Sequence, residues 1–520
     1  MSRSARAAKR QSQEAADHAP AKAARSAPKP LTKADVRVIF LGLMLTIFIG
    51  AINQTIVATA LPTIGREFDD FENLSWIVTA YLLTSTAVAP LFGKLSDIYG
   101  RRAIMLAVLG MFVLGSAACA LAPNMLLLIV GRALQGIGGG GLLPLAQIIV
   151  ADVITPRERG RYQAYASVAW VSAGIAGPVL GGALAEHLHW SWIFWLNVPL
   201  GVAAALMSYT TLRRLPRHER PHKLDLVGAA LLMAAAIPLL LALTWGGTRY
   251  PWLSPIILTL IAASFVLSAA FAWRLTRAPE PFLPLPILAN QVVRWGTAAS
   301  SCAVGSSIGL TIFLPLYYEL VHKLSATDSG LALIPIVAMS TPGSILSGRA
   351  MMHMRHYKLS GIAGLAVSAV ALAVLAWRPD LPLSTVIILT SIAGMGIGTV
   401  YPLATVSVQN AVPMHQVGTA TGTMNFFRAL NSALVVAVMG AIVLAGFGAA
   451  PERGVGASNL ANALSALGID FALVFRWVFA AAAAFLAAGL ISLVIMEERP
   501  LRGPATAATV TPPVPGPPAA

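Results

Sequence analysis

Charged side chains make up only 11% of this 520-residue chain, and acids are scarcer than bases, 21 against 36. A soluble globular domain carries about a quarter charged residues, so ordinary water-facing folds are excluded. Cysteine is nearly absent. Cys119 and Cys302 each sit inside an apolar run, which argues against a disulfide framework, a thiolate metal site and redox chemistry. There is no pair of carboxylates inside an apolar segment and no soluble catalytic loop, so an enzyme is not implied, and neither a metal nor a cofactor is expected. What the chain has instead is hydrophobic sequence, 57% of its residues, with a mean hydropathy of +0.74. Its net charge of +15 lies mainly in loops and tails, where it reads as membrane topology and not as a nucleic-acid footprint.

A helix needs about 20 apolar residues to cross roughly 30 Å of hydrocarbon. The chain offers fourteen such stretches, near 37–60, 74–93, 103–122, 125–151, 162–186, 193–211, 225–244, 252–274, 294–319, 327–348, 358–377, 383–410, 417–446 and 471–495. The expected fold is therefore all-α and integral to the lipid bilayer. An even number of spans puts both termini on one side, and the Lys and Arg bias selects it. The N-terminal tail, the segment 94–102, the trio Arg157, Arg159 and Arg161, and the cluster from Arg213 to Lys223 share one face, expected to be cytoplasmic. The opposite loops hold isolated cations, and the first of them is acidic at Glu67, Asp69, Asp70 and Glu72. The first span has too long a flank and too long an apolar stretch for a cleaved signal, and is expected to remain in the mature protein. The tails, 1–36 rich in Ala, Arg, Lys and Ser and 499–520 rich in Pro, Ala and Thr, are expected to be disordered.

The chain repeats itself. Residues Gly136 to Gly160 align with Gly394 to Gly418 at an offset of 258, pairing Gly138 with Gly396, Gly140 with Gly398, Pro144 with Pro402 and Gly160 with Gly418. Nearly the same offset relates Leu61 and Pro62 to Leu314 and Pro315, and Gly93 to Gly348. This predicts two related six-helix halves, 37–211 and 281–498, with a linker at 212–280 that contributes two extra spans. Duplicated halves that rock about a shared midplane site are a common design for alternating access.

Between the second and third spans lies GKLSDIYGRR, Gly93 to Arg102. Turns at Gly93 and Gly100 would let two helices approach, Asp97 could charge-complement a helix N-terminus, and Lys94, Arg101 and Arg102 would hold the segment in the cytoplasm. This segment resembles, almost letter for letter, the loop between helices 2 and 3 of the major facilitator superfamily. GIAGPVLGG in the fifth span, with Gly174, Gly177, Pro178, Gly181 and Gly182, is similar to the Gly-Pro signature of its antiporters, although Ala173 stands where a glycine usually precedes the Gly-Pro pair. The same small residues would also serve simple close packing. HWSWIFWLNVPLG and INQTIVATALPTI resemble segments of the fourteen-helix drug:proton antiporters.

The resemblance implies that Arg132, in LIVGRALQGIGGGG with Gln135, takes part in proton transfer; a charge so deep in a span should face the cavity or a partner. At Asn53 relatives usually carry an aspartate, a candidate proton site. An amide cannot titrate, so Asn53 is expected to keep only a hydrogen-bonding role. The best intramembrane carboxylate by position is Glu319, with the alternative that it lies in the headgroup region beside His322 and Lys323. Asp152 and Asp225 sit at span ends and point to helix-end electrostatics or the loop network rather than to transport. Arg428, in NFFRALNSA, and Arg476 are candidate buried cations, and Asn431 and Ser432 replace glycines expected after Arg428.

The function these features imply is secondary active efflux of lipophilic small molecules across a bacterial inner membrane, driven by the proton gradient. Alternatives are a dedicated exporter of one metabolite or lipid, and a carrier with another coupling ion. Because cations outnumber acids inside the spans, neutral, zwitterionic or anionic amphiphiles are expected to be preferred over quaternary dications. A monomer is expected, with a periplasmic adaptor protein as a candidate partner.

Overall fold

The computed structural model describes residues 33–70, 72–214, 224–447 and 470–501. The basic tail up to residue 32, the cations Arg217, Arg220 and Lys223, and the Pro-rich tail from 502 lie outside the described residues. Among the described residues, fourteen helices are long and apolar enough to cross a membrane. They are α1 Lys33–Phe68, α2 Leu74–Tyr99, α3 Arg101–Ala120, α4 Met125–Val153, α5 Pro156–His187, α6 Trp192–Thr211, α7 Leu226–Trp245, α8 Pro255–Arg277, α9 Gln291–Val321, α10 Ala326–His353, α11 Lys358–Trp377, α12 Leu383–Asn410, α13 Val417–Phe447 and α14 Phe471–Ile495.

Three of these, α11, α12 and α14, have the bounds expected from hydropathy, and others run past them. The largest overrun is in α1, which ends at Phe68 where 60 was expected, and α2 continues through Lys94 and Asp97 to Tyr99. Hydropathy sees only the part in hydrocarbon, whereas the backbone stays helical wherever its amides remain satisfied. Polar caps set several ends. Asn124 accepts from Leu127 N at 2.9 Å at the start of α4, and Asp225 accepts from Gly228 N at 3.0 Å at the start of α7. Within α6 the helix breaks at Leu196, between Trp192–Trp195 and Asn197–Thr211.

Helices α1 to α6 form one bundle, in which α4 lies against α2 and α3 while α1 lies against α5 and α6. In the second, α12 lies against α10 and α11, and α9 against α13 and α14. The repeat accounts for this likeness. Gly138 packs on the backbone of Phe112 in α3 and Gly140 on Ser85 O in α2; their counterparts pack on Gly364 O in α11 (Gly396) and Ser340 O in α10 (Gly398). Small residues at these points let helices approach where lipid gives no hydrophobic drive for association. The inserted α7 and α8 pair with each other, joined by Arg274 to Asp225 at 3.1 Å, and α7 reaches both α2 and α13. The two halves meet mainly along α2 with α13 and α5 with α10.

Candidate functional site

The segment Gly93 to Arg102 is far less of a loop than its composition implies. Only Gly100 leaves the helical path, with φ +88°, a backbone that side chains rarely adopt. Gly93 makes no turn. It lies inside α2, with its Cα face against Gly418 O of the other half, so its missing side chain serves a helix crossing. Asp97 crosses the same junction. Its carboxylate accepts from Gly418 N at 3.2 Å, Thr419 N at 2.8 Å and Thr419 Oγ1 at 2.9 Å. Those amides belong to the first turn of α13, where no helical carbonyl is available and the helix dipole favours an anion. The expected helix capping is thus present, but on the opposite half. Arg101 Nη1 donates at 2.5 Å to Asp97 Oδ1, the oxygen that also accepts from Gly418 N, and its Nε reaches Asp152 Oδ2 at 2.8 Å. Arg102 stacks on Tyr209, its guanidinium carbon 4.5 Å from the ring centroid.

A second junction is related by the repeat: Gly348 in α10 meets Gly160 in α5. Further bonds join the halves close by, from Ser167 Oγ to Ser344 Oγ at 2.9 Å, from Gln409 Nε2 to Gln147 O at 3.3 Å and from Asn425 Nδ2 to Gln147 Oε1 at 2.9 Å. Together with the Asp97 bonds they all lie toward the side that carries Gly100.

Inside the first half, Asn53, Arg132 and Gln135 come together, joined by Ser116, Asn197 and Tyr81. Arg132 is buried. Its Nε donates to Ile77 O at 2.9 Å, and its Nη1 donates to Gln135 Oε1 at 2.5 Å and to Asn53 Oδ1 at 3.3 Å. The guanidinium lies over Tyr81, 4.4 Å from the ring centroid. Gln135 Nε2 donates to Asn53 Oδ1 at 3.0 Å and Ser116 Oγ at 2.6 Å, and Asn197 Nδ2 also donates to Asn53 Oδ1, at 3.3 Å. Asn53 Oδ1 therefore receives three donors, while its buried Nδ2 has no partner. Among the described residues no carboxylate faces Arg132. Hydrogen bonds and the ring face offset part of the several kcal/mol cost of burying that cation. Of the residues not singled out from sequence, Asn197 lay within a recognisable segment, but nothing marked Ser116 or Tyr81.

The Gly-Pro segment divides. Gly177 packs on Thr55 and Gly181 on Thr59 and Ile56 of α1, and Thr55 Oγ1 bonds Ala173 O at 3.1 Å, whereas a side chain at Gly174 or Gly182 would meet nothing. Pro178 lies within α5 without interrupting it. In the second half Arg428 is buried, with only long contacts: Ser300 Oγ at 3.4 Å, Asn425 Oδ1 at 3.5 Å and Thr405 Oγ1 at 3.5 Å. Arg476 is exposed, and the expectation that it is buried is wrong: it falls on the outward face of α14. Glu319 is two residues from the end of α9, half-buried. Its neighbour His322 hydrogen-bonds Tyr317 Oη at 3.2 Å, and burial holds the imidazole below the usual histidine range.

The chain is similar to known proteins along most of its length. The family model described as Major Facilitator Superfamily matches residues 43–436. An uncharacterized MFS-type transporter of Mycobacterium tuberculosis is 34% identical over 413 residues, 78% of this chain and 59% of that protein, so the chain spans about three fifths of that relative's length. The multidrug transporter protein MdtP of Bacillus subtilis is 31% identical over 408 residues, covering 78% of this chain and 75% of its own. The efflux pump FUS6 of Gibberella fujikuroi is 34% identical over 441 residues, 82% and 79% of the two chains. Among solved structures, a human organic anion transporter, MFSD10, superposes with a TM-score of 0.61 at 18% identity, over 89% of this chain and 98% of that one, a likeness of fold.

Proposed function

The chain belongs to the major facilitator superfamily, and from that membership we propose that it is a secondary active exporter of lipophilic small molecules working by alternating access. The observation that carries the reading is the placement of the bonds between halves. Every interhalf hydrogen bond described above lies toward the Gly100 side, headed by the Asp97 carboxylate on the first turn of α13. A chain so fastened on one side has one gate shut. The same halves, rocking about their crossings, would shut the other gate when the Asp97 bonds break. The Lys and Arg bias supports reading the fastened side as cytoplasmic, with both termini inside, and relatives from bacteria support a bacterial inner membrane. Substrate would then leave from the state described here. Relatives named as efflux pumps and multidrug transporters support the direction and the breadth of substrate.

The proton gradient is the proposed driving force, with Glu319 as the carboxylate placed for it. A second reading, a carrier coupled otherwise, is favoured by one observation: the Arg132 cluster contains an amide at Asn53 where a titrating acid would complete it. Reconstituted protein in liposomes with an imposed pH gradient tests both. The expected result is gradient-dependent uptake of a labelled lipophilic probe, weakened in Glu319→Gln and strengthened in Asn53→Asp. Uptake indifferent to the gradient and to both substitutions would remove proton coupling and leave the exporter reading. No uptake of any probe from a broad panel would remove the exporter reading itself.

A further inference from the structure

Arg428 sits one helical turn beyond Asn425, the residue of α13 through which this helix bonds Gln147 of the other half. It is thus placed one turn past the interhalf hydrogen bond of Asn425. Two buried arginines can be compared there. Arg132 has contacts as short as 2.5 Å and a ring beneath it, whereas every hydrogen bond of Arg428 to oxygen is 3.4 or 3.5 Å long. Bonds of that length satisfy a guanidinium weakly. Among the described residues no carboxylate faces it, so the charge is both buried and underused.

A further turn along α13, Asn431 holds a buried side-chain nitrogen with no partner. Residues three apart on a helix share a face, so two donors without an adequate acceptor stand side by side. On α9, which Arg428 touches through Ser300, the hydroxyls of Thr297 and Ser301 are also buried and unpartnered. Unpaired buried donors carry a desolvation cost that an acceptor would recover, and a cation beside them selects an acceptor with negative charge. A carboxylate fits on both counts: it accepts from the planar fork of an arginine and retains a lone pair for a neighbouring amide.

We propose that Arg428 and Asn431 receive the acidic group of an amphiphilic substrate, which makes this an exporter of lipophilic acids. The inference rests on the exporter reading and adds the chemistry of its cargo. Full-length protein in phosphatidylcholine nanodiscs is titrated with dansyl-labelled probes on one acyl skeleton, ending in a carboxylate, a methyl ester or a trimethylammonium group. The expected result is an affinity for the carboxylate about tenfold above that for the ester, with the trimethylammonium probe weakest. Arg428→Gln should bring carboxylate and ester together, and Arg428→Lys should keep a reduced preference. Asn431→Gly, which leaves the arginine in place, should weaken the carboxylate alone by about threefold. Equal affinity for carboxylate and ester in the unsubstituted protein, or a preference that survives both Arg428→Gln and Asn431→Gly, overturns the proposal. Charge-selective binding without transport of any probe into liposomes would keep the anion site and defeat the exporter reading. Transport of ester and trimethylammonium probes without preference for the acid would do the reverse.

Discussion

The two glycine crossings that join the halves are products of one duplication, yet only one of them is fastened by a charge. At Gly93 and Gly418, Asp97 follows four residues after the first glycine and binds the amides of Gly418 and Thr419. At Gly348 and Gly160 the residue four after the first glycine is Met352, and the nearby interhalf bond is a neutral one between Ser167 and Ser344. The position of the helix start explains why. Gly418 is the second residue of α13, where amides are free, while Gly160 is the fifth residue of α5, whose amide is already committed to its own helix. A carboxylate at 352 would find no such donors. The repeat thus supplied two similar crossings, and a difference in helix start lets only one of them be held by a charge.

The largest effect is expected from putting a methyl group into the latched crossing. A Cβ at Gly93 would run into Gly418 O, a backbone atom that cannot swing aside. Gly93→Ala should cost more than about tenfold in transport, with normal membrane insertion, and cysteine accessibility should report the fastened side standing open. Asp97→Asn should come next. It keeps the shape but loses the charge-assisted bonds to α13 and the ion pair with Arg101, a loss of about 2 kcal/mol, or on the order of thirtyfold in the balance between the two gated states. Transport by a well-inserted Asp97→Asn protein at the unsubstituted rate would sink the latch.

The unlatched crossing should be more forgiving. A Cβ at Gly348 would sit 2.6 Å from Gly160 O, a clash, but at a junction with no carboxylate to misplace. Gly348→Ala is expected to slow transport several-fold less than Gly93→Ala, in the same vesicle assay. If the two substitutions are equally damaging, the asymmetry has no energetic weight. The smallest effect belongs to Ser167→Ala, which removes one neutral hydrogen bond worth about 1 kcal/mol and should change transport less than about fivefold.

Much of this was legible from residues alone. Fourteen spans follow from hydropathy, because hydrocarbon accepts only helices with every backbone amide satisfied and the required length is fixed by the bilayer. The constant offset between Gly136 to Gly160 and Gly394 to Gly418 determined that the halves are built alike, and the same glycines proved to be helix crossings. The charges of Gly93 to Arg102 marked the segment that meets the other half. Tertiary structure alone decided what each residue touches there. Nothing in the string GKLSDIYGRR says that Gly93 is helical or that Asp97 binds a helix start 321 residues away at Gly418. Likewise, Arg132 was recognisable, but its seat on Tyr81 and the three donors on Asn53 Oδ1 were not. The reason is physical: hydropathy and helix length depend on residues near in sequence, whereas a buried polar group is satisfied by whatever the packed helices bring within about 3 Å, and that is known only once they are packed.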